Sequence, residues 1–377
     1  MTVRVLWLQV WALALMQGAI TLAWVFYQLY LKSLLTGLGM ATSLAMVILV
    51  VENGLATLVE PVVGGCSDDT QRWLGTRFPW IVAGGVGASL LFLLIPLILG
   101  FPRSVAQALL IPLLLAWAFA MSVFRAPAMS LLGRYAFATR LPQAASVLTL
   151  VGSLAAAVGV VVQPLIVSWG VGLTFALGSV VLLGATLLLR QVHPPSASGA
   201  VVNPTVGLVP SHLGLIFGTG MAVSVGFRLL VQSLPEPRVE MLGSLFLSVA
   251  VTAIPAGTLA QRWGNPIAML TGLGVMAVGL LLLPQVPSAG IGVALTVLVG
   301  ASLSLVLNGA IPFALGLVPP ARAGLGTGMY FGGGALGASL FLGFLAPGLS
   351  AQVASWLGMV AFLVAGGLVS LSLRATH

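Results

Sequence analysis

The sequence is a near-unbroken succession of apolar runs, each long enough to cross a lipid bilayer, parted by short polar breaks. A helix needs about 20 apolar residues to span the hydrocarbon. Within lipid, backbone polar groups must be satisfied internally, which leaves helices or closed barrels. Barrel strands alternate apolar and polar residues, and these runs do not alternate. The chain is 59% hydrophobic and only 5% charged, against about 25% charged in soluble domains. Lipid is therefore the solvent for most of its surface, and the fold class is an all-α polytopic membrane protein.

Hydropathy and Gly/Pro punctuation predict twelve spans. Six fall in the first half: 6–31, 41–65, 80–99, 106–130, 142–167 and 173–189. Six more follow, at 212–232, 241–260, 266–283, 291–317, 323–346 and 353–373. Residues 191–211, rich in Pro, Ser and Gly, read as a linker. The expected organisation is a half over 1–190, the linker 191–211 and a half over 212–377.

Twelve spans put both termini on one side. Of 13 arginines and one lysine, ten fall on or near that side, against Lys32, Arg103 and Arg238 on the other. Arg228 lies inside span seven. This positive-inside bias places both termini in the cytoplasm and accounts for the formal charge of +8. No basic patch with its own folded surface is present, so nucleic acid is not an expected partner. One cysteine, Cys66, precludes an intrachain disulfide. The three histidines are far apart and lack a metal-site spacing, so no metal is expected.

The polar stretch Glu60–Ile81, EPVVGGCSDDTQRWLGTRFPWI, stands out between spans two and three. It reads as a cytoplasmic hinge. Gln71-Arg72-Trp73 recurs as Gln261-Arg262-Trp263 at an offset of 190 residues, Pro127 as Pro312 at 185, and Arg140 as Arg322 at 182. Near-constant offsets with six spans per half argue for duplication. Repeats of this kind occur in secondary transporters, with the cargo site near mid-membrane between them.

These residues resemble the major facilitator superfamily. It has twelve helices in two halves and a Gly-x-x-x-Asp-Arg-x-Gly-type motif between helices two and three. Gly64, Asp68, Arg72, Gly75 and Arg77 fit that gate region, and Arg262 a decayed copy. Within the superfamily, the chain is most similar to the glycoside/cation symporter and sucrose-transporter branch. Pro61-Val62-Val63-Gly64, Ser67-Asp68, Gly75-Thr76-Arg77-Phe78-Pro79-Trp80-Ile81 and Phe124-Arg125-Ala126-Pro127 carry that likeness. Asp69 stands where the branch has Arg, and Thr76 replaces another. Ala56 stands where its cation-coupled members have a second acid, and span eleven lacks the Lys of sodium-coupled members. The resemblance implies a latch of Asp68 and Arg77 joining the cytoplasmic ends of the halves, with Arg322 at the start of span eleven as the cross-half partner of Asp68.

Charges inside spans cost about 2.5–3.5 kcal/mol each on insertion scales. Glu60 and Arg125 share a predicted depth, and an ion pair between them serves either proton coupling or helix joining. Glu52 reads as a cavity group binding substrate or proton, with Asn53 beside it. Arg228 reads either as snorkelling or as a substrate contact. Gln17, Trp24 and Gln28 fall on one face of span one, a pattern suited to stacking and hydrogen bonding a sugar. Gln163 and Asn308 are further cavity candidates. In span eleven, Gly324, Gly328 and Gly332, and separately Gly333 and Gly337, repeat every four residues, which lets helices approach closely. No nucleotide fingerprint has the strand–loop–helix context it requires.

The expectation is a non-enzymatic, cofactor-free and monomeric transporter in the cell membrane. It works by alternating access, with protons as coupling ion and a sugar, glycoside or similar small polar solute as cargo. The scarcity of polar residues in the spans keeps two alternatives open. One is a carrier of a lipid-like or amphiphilic molecule. The other is a non-transporting facilitator-like protein assisting pigment or light-harvesting assembly.

Overall fold

The computed structural model describes residues 4–194, 207–286, 288–346 and 348–375. Most of the expected linker, residues 195–206, lies outside the described residues, as does His377. The described residues form 12 helices long and apolar enough to cross a membrane. They are α1 (Trp7–Gly37), α2 (Leu44–Leu74), α3 (Phe78–Gly100), α4 (Arg103–Tyr135), α5 (Ala138–Val161) and α6 (Gly170–Val192) in the first half. The second half holds α7 (Pro210–Ser233), α8 (Arg238–Trp263), α9 (Asn265–Gln285), α10 (Ala289–Gly316), α11 (Pro320–Leu345) and α12 (Ala351–Arg374).

Each half has its own apolar core, one drawn from Val10 to Leu189 and the other from Ile216 to Val369. The halves are joined chiefly by two helix pairs, α2 with α11 and α5 with α8, with α10 also meeting α5 and α11 meeting α4. Small residues make the α2–α11 seam close. A Cβ on Gly64 would run into the Gly324 carbonyl, and one on Gly332 would lie 2.9 Å from the Thr57 carbonyl oxygen. Pro61, inside α2, has no N–H to offer Thr57 four residues earlier, and the carbonyl so freed faces α11. The four-residue glycine spacing in span eleven thus does what it predicts: Gly324, Gly328 and Gly332 face α2, and Gly333 and Gly337 face α7.

Two boundaries differ from the hydropathy reading. The stretch expected as a hinge is largely helical: α2 continues to Leu74 and ends at Gly75 with φ +71°. Polar residues leaving the hydrocarbon have no reason to break a helix, and the left-handed glycine at C′ stops it. Span five ends six residues early, at Val161. Pro164 has no N–H to bond the Val160 carbonyl four residues earlier, so the helical ladder is interrupted at Val162. A separate short helix, Gln163–Ser168, follows.

His193, just past α6, ties that helix end to the first half. Its Nδ1 and the Tyr135 hydroxyl are 2.7 Å apart, and its ring lies against Phe78. Burial, with a smaller push from Arg134, lowers its pKa from 6.5 to about 4. Between those values the unfolded chain holds a proton that the folded chain does not, so stability falls as pH drops through that window. Thermal unfolding in detergent is expected to show this slope, and His193→Phe to flatten it.

Candidate functional site: a central cavity above a latched end

The α2–α3 turn marks one end of the molecule, here called the latch end. Asp68, fully buried on the last turns of α2, accepts N–H bonds from Gly324 and Leu325, both at 2.8 Å. These are the first amides of the α-helical part of α11, which begins at Ala323. Helix N-termini carry unpaired N–H groups and a partial positive charge, so a carboxylate of the first half caps a helix of the second. Arg77, 2% exposed, donates to the same carboxylate at 2.5 Å. Burial depresses the Arg77 pKa, and Asp68 opposes that shift.

The latch partners differ from those the resemblance implies. Arg322 does not reach Asp68; it pairs with Asp69 at 3.2 Å, and Arg72 joins the same acid at 3.3 Å. Asp69, the residue out of family pattern, is therefore the cross-half salt bridge. Arg262 is exposed and takes no part. Its neighbour Gln261 accepts from Arg140 at 3.3 Å, linking α8 to α5. Further in, the Thr327 hydroxyl donates to the Ala126 carbonyl at 3.1 Å, and Leu315 packs over Gly133. The latch end is thus closed by α2, α4, α10 and α11, whereas α1 and α7 make no substantial contact with each other.

Above this closure lies a cavity of about 440 Å³ between the halves, within the range of small-molecule sites. Its floor is one stacked assembly. Glu60, fully buried, is ion-paired to Arg125, and the Arg125 guanidinium sits 4.8 Å from the Phe331 ring centre. Glu60 and Arg125 come from the first half and Phe331 from the second. Among the described residues, Glu60 Oε2 and Arg125 Nε find no hydrogen-bond partner. The first-half wall carries Gln17, Thr21, Asn53, Thr149 and Ser153; the second-half wall is largely apolar, with Phe227, Phe246, Leu303 and Leu307.

Of the residues expected in the cavity, Gln17, Asn53, Arg125 and Arg228 line it. Five others do not. Glu52 is 2% exposed and accepts from the Tyr27 hydroxyl at 2.5 Å, inside the first half. One residue is 100° on an α-helix, and that step separates it from cavity-lining Asn53. Trp24 meets Tyr27 edge-on at 5.8 Å and lies tilted against Trp117 at 4.8 Å between ring centres, in the same interior cluster. Gln28 and Gln163 are exposed away from the cavity, the latter because Pro164 starts a new helix. Asn308 is buried and donates to the Ala253 carbonyl at 2.8 Å, joining α10 to α8. Phe227, Phe246, Tyr330 and Phe331 went unpredicted. The sequence hint is the pair of adjacent rings, Tyr330 and Phe331, set directly before the glycine run 332–334.

No family model matches the chain, and no curated sequence does. Solved structures match along nearly its whole length. The human organic anion transporter MFSD10 (TETRAN) superposes with a TM-score of 0.70 at 16% identity, over 97% of this chain and 99% of that one. The major facilitator transporter FucP, in an outward conformation, gives 0.73 at 13% identity over 96% and 97%. A bacterial homologue of the iron transporter ferroportin, outward-facing, gives 0.74 at 15% identity over 99% and 100%. The chain is a multi-pass membrane protein with the major facilitator fold: twelve helices in two six-helix halves around a central cavity.

Proposed function

We propose that the protein is a secondary transporter that works by alternating access. The observation that carries this reading is a cavity between two halves whose latch end is held by the Asp68, Asp69 and Thr327 cross-half contacts, while α1 and α7 make no substantial contact with each other. Residues 1–190 and 212–377 are the rocking units and 191–211 their linker. The arginine bias places the latch end and both termini in the cytoplasm, with the protein in the cell membrane, and the present state is closed to the cytoplasm. Neighbours with such different cargoes leave the cargo to the cavity itself. Its apolar second-half wall favours a small amphiphilic solute. The amide and hydroxyl row of the first-half wall favours a second reading, a glycoside with one apolar face.

The coupling ion is a proton, and Glu60 is its site. A carboxylate held between an arginine and an apolar helix seam changes its proton affinity whenever the two halves separate, because Phe331 leaves Arg125 and water enters. Glu60→Gln removes the titrating group at constant shape. In proteoliposomes with an imposed pH gradient, accumulation above equilibrium is expected to disappear while downhill exchange continues. Gradient-driven accumulation at the wild-type level would remove Glu60 from the mechanism.

A further inference from the structure

We infer that Arg228 is the anchor for the head group of an amphiphilic organic anion, a carboxylate or sulfonate carrying one negative charge. This rests on the central cavity being the cargo site. Arg228 sits five residues before the end of α7 at Ser233. From there an arginine on a lipid-facing surface would reach the headgroups. Its face of α7 points elsewhere: Gly220, Ser224 and Arg228, at four-residue spacing, all line the cavity.

Among the described residues, no acid neutralises it. The chain has six acids, and five are engaged. Glu52 bonds Tyr27, Glu60 pairs with Arg125, Asp68 with Arg77, Asp69 with Arg72 and Arg322, and Glu236 with Arg238. The sixth, Glu240, is exposed in the first turn of α8. Among the described residues, no carboxylate lies within ion-pair distance of Arg228. A cation within a span is costly and calls for a counter-charge. Here the site able to supply one is the ligand.

The surroundings set the rest of the ligand. With Glu60 ionised, Arg125 is matched, so in that state the cavity presents one free positive charge, which selects a monoanion. A guanidinium suits a planar two-oxygen head by donating in parallel to both oxygens. Phe227, adjacent to Arg228 in sequence, faces Phe246 with ring centres 6.2 Å apart. These rings offer an apolar shelf for the ligand body next to the anchored head. The opposite wall, with Gln17 and Asn53, accepts a polar edge.

The test compares two probes of nearly equal shape, 1-naphthylacetate and its neutral amide 1-naphthylacetamide. Calorimetric titration uses the full chain in nanodiscs of zwitterionic lipid. The carboxylate is expected to bind about tenfold tighter than the amide, the scale of one desolvated charge-assisted contact. Arg228→Gln should level the two probes, and Arg228→Lys should restore part of the preference. Equal affinities in the wild type, a preference that survives Arg228→Gln, or binding of neither probe would overturn the inference. Uptake separates this from the transporter reading. Carboxylate-selective binding without uptake keeps the anion site and removes transport. Uptake of neutral sucrose independent of Arg228 keeps transport and removes the anion site.

Discussion

Asp68→Asn is expected to open the latch end. The substitution is isosteric, so packing around α2 is kept while two interactions fail and one repulsion appears. Arg77, 2% exposed, loses its counter-charge. The amide has one oxygen, so only one of the Gly324 and Leu325 N–H groups keeps an acceptor. Its NH₂ group then faces a helix N-terminus already rich in donors. Removing one partner of a buried ion pair costs about 3–5 kcal/mol. That cost falls on the latched state alone, because water solvates Arg77 once the halves part. About 5.5 kcal/mol moves a two-state equilibrium from 1:99 to 99:1, so the population should shift by orders of magnitude toward the state open at the latch end. A cysteine placed at Thr327, 1% exposed on the closed seam, reports this in a Cys66→Ala background. Maleimide labelling from the latch side should rise strongly, and unchanged labelling would show that the Asp68 cap does not hold the gate.

Gly328→Val is expected to pry α2 from α11. A Cβ there would press on the Glu60 carbonyl and lie 3.0 Å from the Pro61 Cα. These are backbone atoms of a neighbouring helix, so no side-chain rotation relieves the contact. Overpacking costs typically about 1–3 kcal/mol, more where the backbone must shift, and two further γ-carbons add to it. The seam is also the wall beside Glu60, so displacement disturbs the Glu60–Arg125 pair. A large drop in thermal stability in detergent should follow, with loss of uptake. Gly274→Ala provides the control: nothing lies within 4 Å of its added Cβ, and the change should be neutral or gain up to about 1 kcal/mol from helix propensity. Equal effects at the two sites would refute the close-packed seam.

Several features were legible because they are local. Long apolar runs announce twelve helices, since lipid forces each segment to satisfy its own backbone. The four-residue glycine spacing of span eleven announces close packing. The Glu60–Arg125 pair follows from two charges at one depth. Asn53 and Glu52 illustrate the limit. Both are polar, adjacent and mid-span, yet one lines the cavity and the other bonds Tyr27 inside the first half. Hydropathy reports burial in lipid or protein as the same signal, so it does not say which face of a helix meets a neighbour and which meets a cavity.

The Glu60–Ile81 stretch shows the same division. Its composition alone determined that a polar, charged segment leaves the membrane between the second and third spans; that Asp68 and Arg77 form one latch was what the resemblance implied. Only the tertiary structure decided that α2 carries Asp68 as a helical residue into the N-terminus of α11, that Asp69 takes Arg322, and that Arg228 faces a cavity with no acid to answer it. Helix formation is a local solution to backbone hydrogen bonding. Which charge meets which is set by the rotation and register of two halves packed through glycine, over separations of more than 250 residues in the chain.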